Sequence, residues 1–156
     1  MRKDIRRLAV EAQARPLTNE DVAMLKEHAQ RVSDSLLIAD ECKEKEYMVI
    51  YPTYSETYKK WKEKLQEFKN YPEKVLRDTK LVYRYCIYSV ILDDPDYSQD
   101  RMNYWFRTII NAFGFGQELM ADTYMAMQRR ADRFLGSNRC QPMHDMLDQT
   151  VAVWKS

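Results

Sequence analysis

The chain has 156 residues, the size of one domain and enough to bury about two-thirds of its unfolded surface. With 45% apolar and 31% charged residues and a formal net charge of +1, its composition is that of a soluble globular protein with no general pull toward nucleic acid or anionic lipid. No stretch approaches the roughly 18 consecutive apolar residues of a transmembrane span, and Met1-Arg2-Lys3-Asp4 has no apolar signal region, so the chain is expected to stay in its compartment of synthesis. Three glycines and five prolines, in a chain rich in Leu, Met, Ala, Glu, Lys and Arg, predict an all-α protein.

In chain order, Lys3 to Ala14 reads as a first helix with Ile5, Leu8 and Ala12 on one face, ended by Pro16. Thr18 caps a second helix, with Asp21 at N3 imitating a capping box. Its stripe is Val22, Leu25, Ala29 and Val32, running on through Leu36, Leu37 and Ala39. A tyrosine-rich segment follows (Tyr47, Tyr51, Tyr54, Tyr58), in which Pro52-Thr53 is expected to break the helix. Lys59 to Lys69 reads as a solvated helix with Trp61, Leu65 and Phe68 inward.

The next helix is opened by Asn70-Tyr71-Pro72 and closed by Asp93-Asp94-Pro95, with Leu81, Tyr85, Tyr88 and Leu92 predicted as its inner face. Ser98 is expected to cap a helix to Phe113, with Phe106, Ile109, Ile110 and Phe113 inward. Gly114-Phe115-Gly116 ends it, without the strand or third glycine of a nucleotide loop. Leu119, Tyr124, Met127, Ala131 and Phe134 stripe a helix from Gln117 to Leu135, and Met146, Val151 and Val153 a last one from Met143 to Trp154.

Cys42, Cys86 and Cys140 are odd in number and widely spaced, which argues against a disulfide framework and a zinc site. Cys86 is expected as a buried small hydrophobe, and Cys42, inside Glu41-Cys42-Lys43-Glu44-Lys45-Glu46, as exposed. His28 and His144 stand alone, without the partners of a catalytic triad. Asp93-Asp94-Pro95-Asp96 lacks the glycine and terminal glutamate of a calcium loop and reads as a turn. Neither enzyme chemistry nor a metal is expected.

The run Val75-Leu76-Arg77-Asp78, with Arg84 and Tyr88 on the same helix, resembles the chromophore helix of the phycobiliproteins, whose motif is Cys-Leu-Arg-Asp followed by that arginine and tyrosine. Glu11-Ala12-Gln13-Ala14-Arg15-Pro16-Leu17-Thr18, Ile38-Ala39, Trp105-Phe106-Arg107, Asn111-Ala112-Phe113-Gly114 and Met125-Ala126-Met127 also follow the family's pattern. The resemblance covers most of the chain, most weakly between Tyr47 and Glu73. It implies one all-α, globin-like phycobiliprotein domain over 1–156, with two N-terminal extension helices (1–33) and a globin-like body (34–156).

Val75 stands where the family carries the cysteine that forms a thioether to the bilin, so that bond cannot form. Cys86 lies roughly 16 Å further along a helix, too far to take over as anchor. Leu81 and Val82 replace aromatic residues that usually line the bilin, and Glu67-Phe68-Lys69-Asn70 replaces a glycine- and tyrosine-containing loop that borders it. By resemblance, Asp78 would face the pyrrole nitrogens and Arg77 a propionate, so any bilin (phycocyanobilin-type) would be held non-covalently. Heme is not expected, because no histidine occupies the helix where a globin has its proximal ligand.

Glu11 would meet an arginine of a partner subunit, with Arg84 and Tyr88 on the receiving side. The implied protein is a non-enzymatic subunit of the phycobilisome antenna. Its partners would be a phycobiliprotein-like subunit (homo- or heterodimer) and a phycobilisome core, linker or photosystem component. Its place would be the cytoplasmic or stromal face of the thylakoid. The alternatives are a chromophore-free interaction protein for assembly, docking or regulation of the antenna or a photosystem, and a carrier handing on a tetrapyrrole.

Overall fold

The computed structural model describes residues 3–67, 71–112, 114, 116–136 and 140–155. Among them every regular element is helical: α1 (Lys3–Glu11), α2 (Asn19–Glu44), α3 (Glu46–Gln66), α4 (Tyr71–Ile91), α5 (Asp96–Ser98), a π-helical turn (Gln99–Asn103), α6 (Tyr104–Ala112), α7 (Gln117–Phe134) and α8 (Gln141–Lys155). α3 packs on α4 and α7, α8 on α4 and α7, and α2 on α4. Val49, Ile50, Val82, Tyr83, Tyr124 and Leu147 are wholly buried where these layers meet. This is the all-α globin-like arrangement expected. Phe68, Asn70 and Phe113, three of the residues read above, lie outside the described residues.

α1 stops at Glu11 rather than Ala14. The chain tightens into turns there, with Gln13 N–H on the Val10 carbonyl and Ala14 N–H on that of Glu11. Ile5 and Leu8 are buried as predicted, whereas Ala12 is exposed. The capping box forms: the Asp21 N–H donates to the Thr18 hydroxyl at 3.1 Å and the Thr18 N–H to the Asp21 carboxylate at 2.8 Å. Arg15 then spans Asp21 (2.6 Å) and Glu11 (3.1 Å), tying the end of α1 to the start of α2. Thr18→Ala is expected to lower stability by about 1 kcal/mol, read as the midpoint shift in urea unfolding.

The Arg15 guanidinium, with the Thr18 backbone, holds the Asp21 carboxyl well below the usual carboxylate range. A depressed native value stabilises the fold above the unfolded carboxyl's pKa, near 3.8, and that contribution is lost as pH falls from there. Asp21→Asn should therefore flatten this part of the acid-unfolding curve, measured by far-UV circular dichroism.

α2 is continuous from Asn19 to Glu44. Its buried apolar side chains are Ile38, Ala39 and Cys42, while Val22, Leu36 and Leu37 are exposed. Cys42 is thus buried, contrary to the reading of its charged neighbourhood. One helical turn separates Ile38 from Cys42 on the inner face, and Glu41 and Lys45 bond each other at its margin.

Pro52 does not break the helix as expected; α3 continues through it. The turn keeps a buried bond from the Thr53 hydroxyl to the Val49 carbonyl at 2.7 Å. Burial of Val49, Ile50, Thr53 and Thr57 outweighs the hydrogen bond that proline removes. The irregularity sits instead at Trp61 (φ −112°, ψ 17°), whose indole N–H donates to Asp122 at 3.0 Å.

α4 carries Pro72 in its first turn. It ends where the Asp94 N–H reaches the Ser89 carbonyl and the Asp93 N–H that of Val90, with Asp93 left-handed at φ 47°. The acidic run is therefore a turn. The inner face of α4 is Thr79, Val82, Tyr83, Cys86, Ser89 and Val90, not the predicted stripe; Leu81 and Tyr88 face outward. Thr79 and Ser89 go inside because each hydroxyl finds a backbone partner.

Ser98 does not cap a helix either. Helical turns begin at Asp96, and the Ser98 N–H is held by the Ser89 hydroxyl at 3.1 Å.

Candidate functional site

Helical spacing places Val75, Asp78 and Thr79 on one side of α4, facing α6 and α7. Val75 is half-buried and packs on the core, where the Thr79 hydroxyl donates to its carbonyl at 2.7 Å. With Phe106 and Ile110 of α6 and Leu119, Met120, Thr123 and Tyr124 of α7, these residues line a small, partly open cleft of about 30 Å³. That is room for a water or two; sites for drug-sized ligands are roughly 300 Å³ or more.

Asp78 is mostly shielded, and its carboxylate accepts from Arg77 Nε at 2.7 Å, with Arg77 Nη2 also 2.7 Å away. The guanidinium itself is largely exposed. The two charged residues of the motif thus stand together, joined through one oxygen of the Asp78 carboxylate. The Tyr124 hydroxyl is buried in the cavity wall without a protein partner. Burial pushes its phenol far up, and the Asp78 charge adds to the shift. Tyr124, Phe106 and Ile110 were read from the sequence only as core stripes. Their spacing identified an inner face, but nothing local to them said that the face meets Val75.

The residues assigned to subunit contact lie apart from this cavity. Glu11 is bonded within its own chain by Arg15 and lies 3.5 Å from Arg7. Arg84 makes a two-pronged bond to Glu46, at 2.9 and 2.8 Å, so Glu11 and Arg84 are not brought together in one chain. Tyr88 is 54% exposed, and Leu36, Leu37, Tyr47, Met48, Tyr51 and Leu81 are exposed as well. The tyrosine-rich segment divides. Tyr47 and Tyr51 are in ring contact on the outside, while Tyr54 and Tyr58 are half-buried, Tyr58 stacking on Tyr71 with their hydroxyls 3.0 Å apart.

His144 lies between the Leu135 carbonyl (3.2 Å) and the Asp132 carboxylate (2.9 Å), a structural wedge at the end of α7. Among the described residues, no cluster of His, Cys, Asp and Glu could hold a metal ion, and no helix is long and apolar enough to cross a membrane.

The fold and the Arg77–Asp78 helix define a protein of phycobiliprotein type. Residues 8–153 match the family model described as phycobilisome protein, and the chain belongs to that family. Its members are structural proteins of light harvesting, generally binding bilins and assembling with other phycobilisome subunits. No curated protein matches the chain.

Proposed function

We propose that this chain is a chromophore-free subunit of the light-harvesting antenna, serving assembly, docking or regulation rather than absorbing light. The observation that carries the reading is the small size of the site: Val75, without a nucleophile, packs over a cleft of about 30 Å³, and Arg77 bonds one oxygen of the Asp78 carboxylate. A tetrapyrrole would have to part α4 from α6 and α7 to enter a cleft of that size.

What the chain offers instead is surface. Tyr88, Leu81, Tyr47, Met48, Leu36 and Leu37 are exposed on α2, α3 and α4, an aromatic and aliphatic composition that suits a protein partner. Glu11, Arg84 and Tyr88 are proposed to contribute to contact with a phycobiliprotein-like subunit at the cytoplasmic or stromal face of the thylakoid.

A second reading, a bilin held non-covalently near Arg77 and Asp78, draws support from the retained motif pair and from the unpartnered Tyr124 hydroxyl beside it. A visible spectrum of protein purified from bilin-producing cells separates the two. The chromophore-free reading expects no visible band at protein stoichiometry. A band lost on denaturation and desalting would overturn it in favour of the second. A band that survives would mean covalent attachment through a cysteine and would sink both.

A further inference from the structure

Four polar side chains line the cleft beneath Val75: Asp78 and Thr79 of α4, and Thr123 and Tyr124 of α7. The Thr79 hydroxyl gives its hydrogen to the Val75 carbonyl at 2.7 Å. The Thr123 hydroxyl gives its own to the Leu119 carbonyl at 2.7 Å and accepts from Thr57 at 3.2 Å. The Asp78 carboxylate only accepts, and Arg77 bonds one of its oxygens, Oδ1. These three groups can therefore offer the cleft acceptors alone. Tyr124 is the opposite case. Its side chain is wholly buried, 0% exposed, and its hydroxyl has no protein hydrogen-bond partner among the described residues. It brings an uncommitted hydrogen to a wall whose other polar atoms are acceptors.

We propose that this cleft binds one water molecule, which accepts from the Tyr124 hydroxyl and donates to Asp78 Oδ2 and a threonine oxygen. The chemistry of the lining selects that occupant. An ammonium cannot accept from a phenol, and an anion would face the Asp78 charge between mostly apolar walls. Water both donates and accepts, and about three hydrogen bonds are usual for a buried one. The size agrees: about 30 Å³ exceeds the roughly 10–15 Å³ that a single water requires. The Asp78 charge also reaches the phenol, adding to the upward shift that burial produces. Through the water, the motif aspartate ties α4 to α7 without a pigment. The assignment builds on the chromophore-free reading of this site and gives its carboxylate a role in folding.

The test is a high-resolution crystal structure of the protein made in cells without bilin. The expected result is a solvent peak about 2.6–3.2 Å from both Tyr124 Oη and Asp78 Oδ2. No peak there, or a Tyr124 hydroxyl bonded directly to the protein, would overturn the proposal. In solution, the same protein is compared with Tyr124→Phe, Asp78→Ala and the double variant by urea unfolding. Bridged groups are coupled, so each substitution should raise the unfolding equilibrium constant about fivefold less when the other is already present. Additive effects would overturn the bridge. If a variant does not fold, the wild-type map decides. The chromophore-free reading fails separately, through a visible band in protein from bilin-producing cells, and the pigment-free map still decides the water.

Discussion

Trp154→Ala is expected to destabilise the fold by roughly 3–5 kcal/mol, the range for removing a large buried aromatic side chain. Trp154 is 1% exposed near the end of α8, and its ring meets Phe106 of α6 edge-on (5.9 Å, 82°) and Tyr124 of α7 at 5.9 Å. Truncation removes the contact that joins three helices, and the surrounding helices can close only part of the space. For a domain of this size the unfolding midpoint should fall on the order of 10 °C, measured by thermal circular dichroism. Trp154→Phe should cost less: it keeps a ring against Phe106 and removes an indole N–H that has no protein partner. A loss under about 1 kcal/mol for the alanine variant would contradict the packing described for α8.

The second large effect is an expected failure. Val75→Cys places a thiol where the resemblance puts the family's attachment cysteine, yet the variant is expected to remain colourless in bilin-producing cells and to show no covalent pigment on a denaturing gel. A sulfur at position 75 would sit over the same narrow cleft, with Asp78 bonded by Arg77 and Phe106, Ile110, Leu119 and Tyr124 lining it. Cysteine is smaller than valine, so the variant should fold with a cost within about 1 kcal/mol, and a normal thermal melt would establish that the missing colour is not misfolding. Covalent colour would show that the site opens and that only the thiol had been lost. Asp78→Asn is the companion measurement; under the chromophore-free reading it leaves the visible spectrum of the protein unchanged.

The exposed face follows from the same separation of roles. Tyr88 and Leu81 lie on the outer side of α4, while Thr79, Val82, Tyr83 and Cys86 make the inner side. The helix therefore serves the core with one face and leaves Leu81 and Tyr88, interleaved with Arg77 and Arg84, to solvent in the single chain. Such a division is what a subunit surface requires.

What the sequence by itself determined is local. Thr18 and Asp21 specify the start of α2, because a capping box needs only residues within one turn. Pro72 and the acidic turn before Pro95 bound α4, and the valine at position 75 rules out a thioether there without any coordinates. The 3.6-residue periodicity and the Arg77–Asp78 motif together pointed to the family.

Only the tertiary structure decided which side of each helix meets a neighbour. It turned Cys42 inward, carried α3 through Pro52 because the flanking residues bury, and made Thr79 and Ser89 core residues of α4. It also brought Phe106, Ile110 and Tyr124 beneath Val75. Caps and turns are made by residues a few positions apart, so they are written in short stretches. Burial and cavity size depend on side chains supplied from distant helices, which no single stretch contains.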